Sequence, residues 1–263
     1  MVRQPTRGPN QRPNQRPNQR PVDRPIDWPI DWNAYAAVLF DLDGVITPTA
    51  EVHERAWSEL FREHGFTLDD YHAYVDGKPR YDGVRSFLAS RGITLPEGSP
   101  DDAPGDATVC ALGNKKNVLF NELIEHEGIT AYPGSIRLLD VLDELGTPQA
   151  IVSSSKNARQ VLRAAGLDDR FDVVVDGVTL VDEGLDGKPS PAMFLRAAEL
   201  LHAPADRTVV VEDAVSGVAA GRAGGFALVL GVARNGNDDA LRANGADIVV
   251  ADLDEALEED RSS

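Results

Sequence analysis

Six short apolar runs separated by helical patterns constrain the fold of this chain more than any other feature. The runs fall at 37 to 40, 148 to 153, 172 to 175, 208 to 212, 227 to 231 and 247 to 250. They are strand-length and almost continuously apolar, as strands buried on both faces require. Between the later ones, helical patterns fall at 134 to 145, 156 to 165, 190 to 202, 214 to 223 and 237 to 244. Strand–helix alternation of this kind predicts an α/β fold built on a doubly wound, Rossmann-like parallel sheet. One interval breaks the rhythm. After the first run the chain reads helical at 49 to 64, 69 to 75, 81 to 91 and 114 to 127, with a Pro/Gly/Asp-rich loop at 96 to 105 and no convincing strand. The expected organisation is therefore a core of residues 33–51 and 131–263, with a helical cap of residues 52–130 inserted after the first strand. An insertion at that point belongs over the carboxyl ends of the strands, where ligands bind in open α/β sheets.

The amino terminus reads differently. Residues 9 to 20 are three copies of Pro-Asn-Gln-Arg, followed by Pro-Val-Asp-Arg and two copies of Pro-Ile-Asp-Trp ending at Trp32. Proline at every fourth position blocks helices and sheet ladders, so residues 1–32 are expected to be a disordered, extended tail. Trp28, Ile30 and Trp32 are apolar enough to pack just ahead of the first strand. The tail is basic on an acidic protein and could dock on the body or on a partner; a solvated tail is the simpler reading.

Charge narrows the function. The chain carries 43 acidic against 26 basic residues, a formal net charge of -17. That balance argues against nucleic acid and anionic membranes, which need basic surfaces. The single cysteine, Cys110, excludes an internal disulfide framework and fits a reducing cytoplasm. An acidic chain that handles an anionic substrate must gather its cations at the site or use a metal.

The strand ends carry the candidate chemistry. Ala37–Phe40 runs into Asp41-Leu42-Asp43-Gly44, and Val209–Val211 into Glu212-Asp213. Ile151-Val152 runs into Ser153-Ser154-Ser155-Lys156-Asn157, and Lys188 sits in the Pro/Gly turn Gly187-Lys188-Pro189. Taken singly, each has an ordinary structural explanation: a solvated turn, a serine helix cap, a surface lysine. Together, carboxylates for a hard cation, a nucleophilic oxygen, and hydroxyl and ammonium donors for a phosphate make a coherent set.

In order and spacing this set resembles the haloacid dehalogenase superfamily of phosphohydrolases and mutases, over residues 36 to about 252. Asp41 to Thr47 match its first motif, DxDGx[ILV]T. Within it, Gly44–Trp57, Gly77-Lys78-Pro79-Arg80, Asn114-Lys115-Lys116-Asn117 and Ser153–Asn157 are similar to the β-phosphoglucomutases. The resemblance implies Asp41 as nucleophile and Asp43 as general acid and base, assisted by Ser153, Lys188 and His53. It implies Mg2+ held by Asp41, Asp43, Glu212 and Asp213. It implies substrate contacts from Thr49, His53, Arg80, Lys116, Ser154, Ser155, Lys156 and Asn157. The implied reaction interconverts β-glucose 1-phosphate and glucose 6-phosphate through an aspartyl phosphate and a glucose 1,6-bisphosphate, in a monomer. Two positions depart from the pattern: Pro48 and Asp76 stand where aspartate and lysine are usual. A sugar-phosphate phosphatase with the same motifs is the alternative, and a binding protein with a relict site is the third reading.

Overall fold

The computed structural model describes residues 29–171, 173–234 and 236–257. Six strands form one parallel sheet: β1 (Ala37–Phe40), β2 (Gln149–Val152), β3 (Val173–Val175), β4 (Thr208–Glu212), β5 (Leu228–Val232) and β6 (Ile248–Val250). Their order is β3-β2-β1-β4-β5-β6. β1 is flanked by β2 and β4, in register Phe40 to Ile151 and Phe40 to Val211. The chain winds in opposite directions on either side of β1, so the switch point, and the crevice it opens, lies at the end of β1.

Ten α-helices accompany the sheet among the described residues. α1 (Thr49–Leu60), α2 (Leu68–Asp70), α3 (Arg80–Ser90) and α4 (Val109–Glu127) lie between β1 and α5 (Pro133–Glu144). α6 (Ala158–Ala164), α7 (Gly177–Glu183), α8 (Ala192–Leu200), α9 (Val215–Ala223) and α10 (Asp238–Ala243) follow. β1, β4 and β5 are buried at every position, which explains their unbroken apolar composition. Val38, Phe40, Val209 and Val211 face one apolar layer, with Leu138, Leu139 and Leu142 of α5. Leu39 and Val210 face the other, with Met193 and Phe194 of α8. Each such side chain contributes roughly 1.5–3 kcal/mol of transfer free energy.

The inserted helices have an apolar cluster of their own. Phe61 meets Phe87 at a ring separation of 4.3 Å, and Phe66 meets Phe87 at 5.0 Å. Trp57, Tyr71, Val84 and Leu112 complete it. Phe120 and Ile124, further along α4, pack instead into the sheet's own layer. The helix is thus a spine shared by both parts.

Several local expectations needed correction. α4 begins at Val109, five residues earlier than its pattern suggested, because the Thr108 side chain accepts from Ala111 N and Val109 to Leu112 are buried in the insertion. α7 was not anticipated. It is capped by Asp176, which accepts from Val178 N and Thr179 N, but it leaves Val178 and Val181 exposed, so it shows no amphipathic pattern. α2 is a single turn that continues as a π-helical turn, Tyr71–Val75. Ile30 and Trp32 fall within the bounds given to the tail but pack as their apolar character predicts: both are buried, and Trp32 Nε1 donates to Ala256 O at 3.1 Å. Trp28 and the Pro-Asn-Gln-Arg repeats lie outside the described residues.

Candidate active site

β1 delivers Asp41 and Asp43 into the crevice, and the turn beyond them is built around Gly44. Gly44 has φ +88°, and a Cβ there would fall 1.8 Å from Asp213 Oδ2. Its N–H donates to Thr47 O at 2.7 Å, closing the loop. Glycine at 44 thus lets the β1 loop and the β4 carboxylates meet.

Asp41, Glu212 and Asp213 place one carboxylate oxygen each within 4.8 Å of one another. Lys188 is buried among them. Its ammonium contacts Asp41 Oδ1 and Glu212 Oε1 and donates to Val152 O at 3.2 Å. Burial works against the charged lysine, but Asp41 and Glu212 outweigh it and hold its pKa above the ordinary value. Burial raises Asp41 strongly; Lys188 opposes this, and Glu212 and Asp43 add to it. Burial likewise raises Asp213, reinforced by Asp76, Glu212 and Asp41. An all-oxygen donor set this crowded, with more carboxylates than Lys188 can neutralise, fits a hard divalent cation. Glu212 is the least available donor: Lys188 takes Oε1, and Oε2 accepts from Ala214 N at 2.9 Å.

Asp43 has a separate environment. Thr49 Oγ1 donates to its Oδ1 at 2.5 Å and Ser153 Oγ to its Oδ2 at 3.1 Å. His53 Nε2 stands 3.4 Å from Oδ1, longer than a good hydrogen bond. Burial would raise this carboxyl, but the His53 charge and the hydroxyl donors outweigh it and bring its pKa to about 2. His53 stacks on Phe120 at 4.0 Å, and its Nδ1 contacts Lys116 Nζ. Burial lowers the pKa of His53 and Lys116 alike; Lys116 depresses His53 further, and Arg80 depresses Lys116. Lys116 also lies 5.3 Å from the Trp57 ring centroid and 4.7 Å from that of Phe120, which offsets part of its lost hydration.

The crevice holds about 660 Å3 of empty space, its open mouth included. Its walls include Asp41, Asp43, His53, Arg80, Lys116, Ser154, Ser155, Lys156, Asn157, Glu212 and Asp213. Thr49 and Ser153 are fully buried behind Asp43, where they orient it. Asn157 Nδ2 donates to Asn117 Oδ1 at 2.6 Å, joining the β2 loop to α4. The wall residues that the sequence reading did not name as site residues include Trp57, Tyr71, Asp76 and Lys78. Lys78 could have been found, since it lies in the segment that carries Arg80. Trp57 and Tyr71 look like ordinary core aromatics.

A parallel sheet with an aspartate pair at its switch point, a buried lysine and an acidic pair on the next strand fits a phosphotransferring enzyme. Residues 35–225 match the family of haloacid dehalogenase-like hydrolases, and the chain belongs to that superfamily. A β-phosphoglucomutase of Mycobacterium bovis is 50% identical over 238 residues, covering 84% of this chain and 91% of that protein. Hexitol phosphatase A of Escherichia coli is 33% identical over 219 residues, covering 82% and 91%. Among solved structures, a β-phosphoglucomutase from Clostridium difficile aligns with a TM-score of 0.68 at 26% identity, covering 84% of this chain and 92% of that one. No helix among the described residues is long and apolar enough to cross a membrane.

Proposed function

We propose that the protein is a β-phosphoglucomutase, converting β-glucose 1-phosphate to glucose 6-phosphate, with residues 52–130 as its cap. The carrying observation is the second set of cations. Besides the carboxylates at the end of β1, the cavity is lined by Lys78, Arg80, Lys116 and Lys156. A hydrolase that handles one phosphate needs cations at the nucleophile alone. A mutase must also hold a distal phosphate, for which a planar guanidinium such as Arg80 is suited.

In the forward direction the C6 hydroxyl of β-glucose 1-phosphate attacks phosphorylated Asp41. The phosphorus–Asp41 bond breaks, and the hydroxyl proton passes to Asp43, whose low pKa keeps it ionised and ready as a base. The glucose 1,6-bisphosphate then turns end for end. Asp41 attacks the phosphorus on O1, the P–O1 bond breaks, and Asp43 returns its proton to O1. Lys188 and the Ser154 backbone hold the transferring oxygens. Asp41, the Asp43 carbonyl and Asp213 would hold Mg2+, which supplies the charge neutralisation that phosphoryl transfer chiefly requires. Glu212 keeps Lys188 in place. The closed cap keeps water from the phosphorylated aspartate.

A phosphatase is the second reading, favoured by Asp76, whose carboxylate adds a negative charge to the cavity wall. The two separate in one assay. β-Glucose 1-phosphate with catalytic glucose 1,6-bisphosphate should give glucose 6-phosphate with only a trace of free phosphate, and stoichiometric phosphate release would refute the mutase. Asp41→Asn should lower turnover by at least about 10^4-fold, since it removes the nucleophile itself. Retained turnover would refute either enzymatic reading.

A further inference from the structure

A hydroxyl from the loop after β2 and one from the first turn of α9 grip one turn of the insertion. Ser216 Oγ donates to Asp76 O at 3.0 Å, and Ser154 Oγ donates to Gly77 O at 2.9 Å. Ser216 is the second residue of α9 and does not cap that helix; Ala214 holds the capping position and makes no side-chain bond. The contact is close enough to demand glycine. Gly77 has φ +69°, and a Cβ there would fall 2.3 Å from Ser216 Oγ and 3.2 Å from Ala214 Cβ. Two residues on, Pro79 rests against Gly187, where a Cβ would fall 2.5 Å from Pro79 Cγ. The seated segment carries Asp76, Lys78 and Arg80 into the cavity wall, whereas Ser216 is not part of that wall. Ser216 also follows Asp213 by three residues on the same β4–α9 turn, so the grip and the acidic cluster share one short piece of chain.

We propose that Ser216 is a positioning residue. It latches the cap through the Asp76 carbonyl and thereby sets how often phosphorylated Asp41 reacts with sugar rather than water. This rests on the mutase reading. Ser154 helps in the latch but also lines the cavity, so Ser216 is the residue whose removal isolates it. Losing one such hydrogen bond should shift the balance of shut and open caps about fivefold.

The test is Ser216→Ala. Inorganic phosphate released per glucose 6-phosphate formed should rise about fivefold, with the thermal midpoint essentially unchanged, as expected of a small change at the edge of the fold. Amide exchange over residues 76–83, in the presence of Mg2+ and inorganic phosphate, should quicken by a similar factor. Gly77→Ala should do at least as much, and adding Ser216→Ala to it should change little, because the two residues form one contact. An unchanged release ratio and unchanged exchange in Ser216→Ala would overturn the latch, as would full additivity with Gly77→Ala. If the wild-type enzyme itself releases phosphate stoichiometrically, the mutase reading fails. The exchange measurement, which needs no turnover, then decides the latch alone.

Discussion

Replacing Lys188 by methionine tests whether the β1–β4 cluster is held by a single buried cation. The lysine side chain is 1% exposed, and its partners Asp41 and Glu212 are 9% and 1% exposed. Methionine is of similar length and unbranched, so packing beside Phe194 is largely kept. What disappears is the charge shared by two desolvated carboxylates and the donor to Val152 O. Removing one partner of a buried ion pair costs about 3–5 kcal/mol. The cost does not double for two carboxylates, because one can take up a proton and relieve the other. For a domain of this size it corresponds to a fall in thermal midpoint of roughly 6–20 °C. The folded-state pKa of Lys188 is raised, so its stabilisation is fully present below the unfolded lysine value and is lost only as pH rises through the folded one. The difference between wild type and variant is therefore measured at neutral pH by urea unfolding in EDTA, with the slope checked for constancy. Mg2+ should shrink the loss, because a cation at Asp41 and Asp213 supplies some of the missing positive charge. Adding Asp41→Asn to Lys188→Met should recover stability, because it removes one of the stranded carboxylates. A loss under about 1 kcal/mol in EDTA, or no recovery in the double variant, would refute the argument that the pair is charge-balanced by Lys188.

Two further outcomes follow from the same geometry. Gly44→Ala should weaken Mg2+ affinity by at least about tenfold in calorimetric titration, since the methyl would occupy the place of Asp213 Oδ2 and a positive φ is strained for alanine; unchanged affinity would separate Asp213 from the metal. His72, whose Nδ1 lies 3.3 Å from Asp76 Oδ2, should titrate above the ordinary histidine value, and the shift should vanish in Asp76→Asn. A raised histidine stabilises the fold below its unfolded pKa and loses that contribution as pH rises through the folded value. Wild type should therefore gain at most about 1 kcal/mol over His72→Gln on the acid side, this being a partly exposed pair.

The sheet was legible because β1, β2, β4 and β5 are buried on both faces, and burial leaves a nearly unbroken apolar run in the sequence. The same burial made Asp41, Asp43, Glu212 and Asp213 stand out where those runs end. α7 was invisible for the opposite reason: a short surface helix capped by Asp176 has no core-facing stripe to read. The separate roles of Thr49 and Ser153 were equally hidden. A substrate hydroxyl and a hydroxyl that orients a carboxylate are the same residue type in sequence, and only the contacts with Asp43 distinguish them. Ser216 was harder still. Its partner Asp76 is 140 residues away, and nothing in the local sequence marks a serine in the first turn of a helix as a contact with so distant a segment.

The charge pattern of the cavity shows how so acidic a chain can present cations to an anionic ligand. Five carboxylates line it, from Asp41, Asp43, Asp76, Glu212 and Asp213, against four basic side chains, Lys78, Arg80, Lys116 and Lys156. Lys188 sits on Asp41 and Glu212. The acids come mainly from the ends of β1 and β4, and the bases mainly from the insertion, with Lys156 from the loop after β2. Separating the insertion from the core would therefore pull opposite charges apart, and closure brings them together in a low-dielectric space where each interaction is stronger. Asp76 is the exception, an acid on the insertion that raises the pKa of Asp213. It repels the core carboxylates, and a divalent cation among them would offset that repulsion. The insertion should therefore seat more firmly on the metal-loaded core than on the bare one. The Ser216 contact to the backbone of this same residue would hold it there whatever the charge of its side chain.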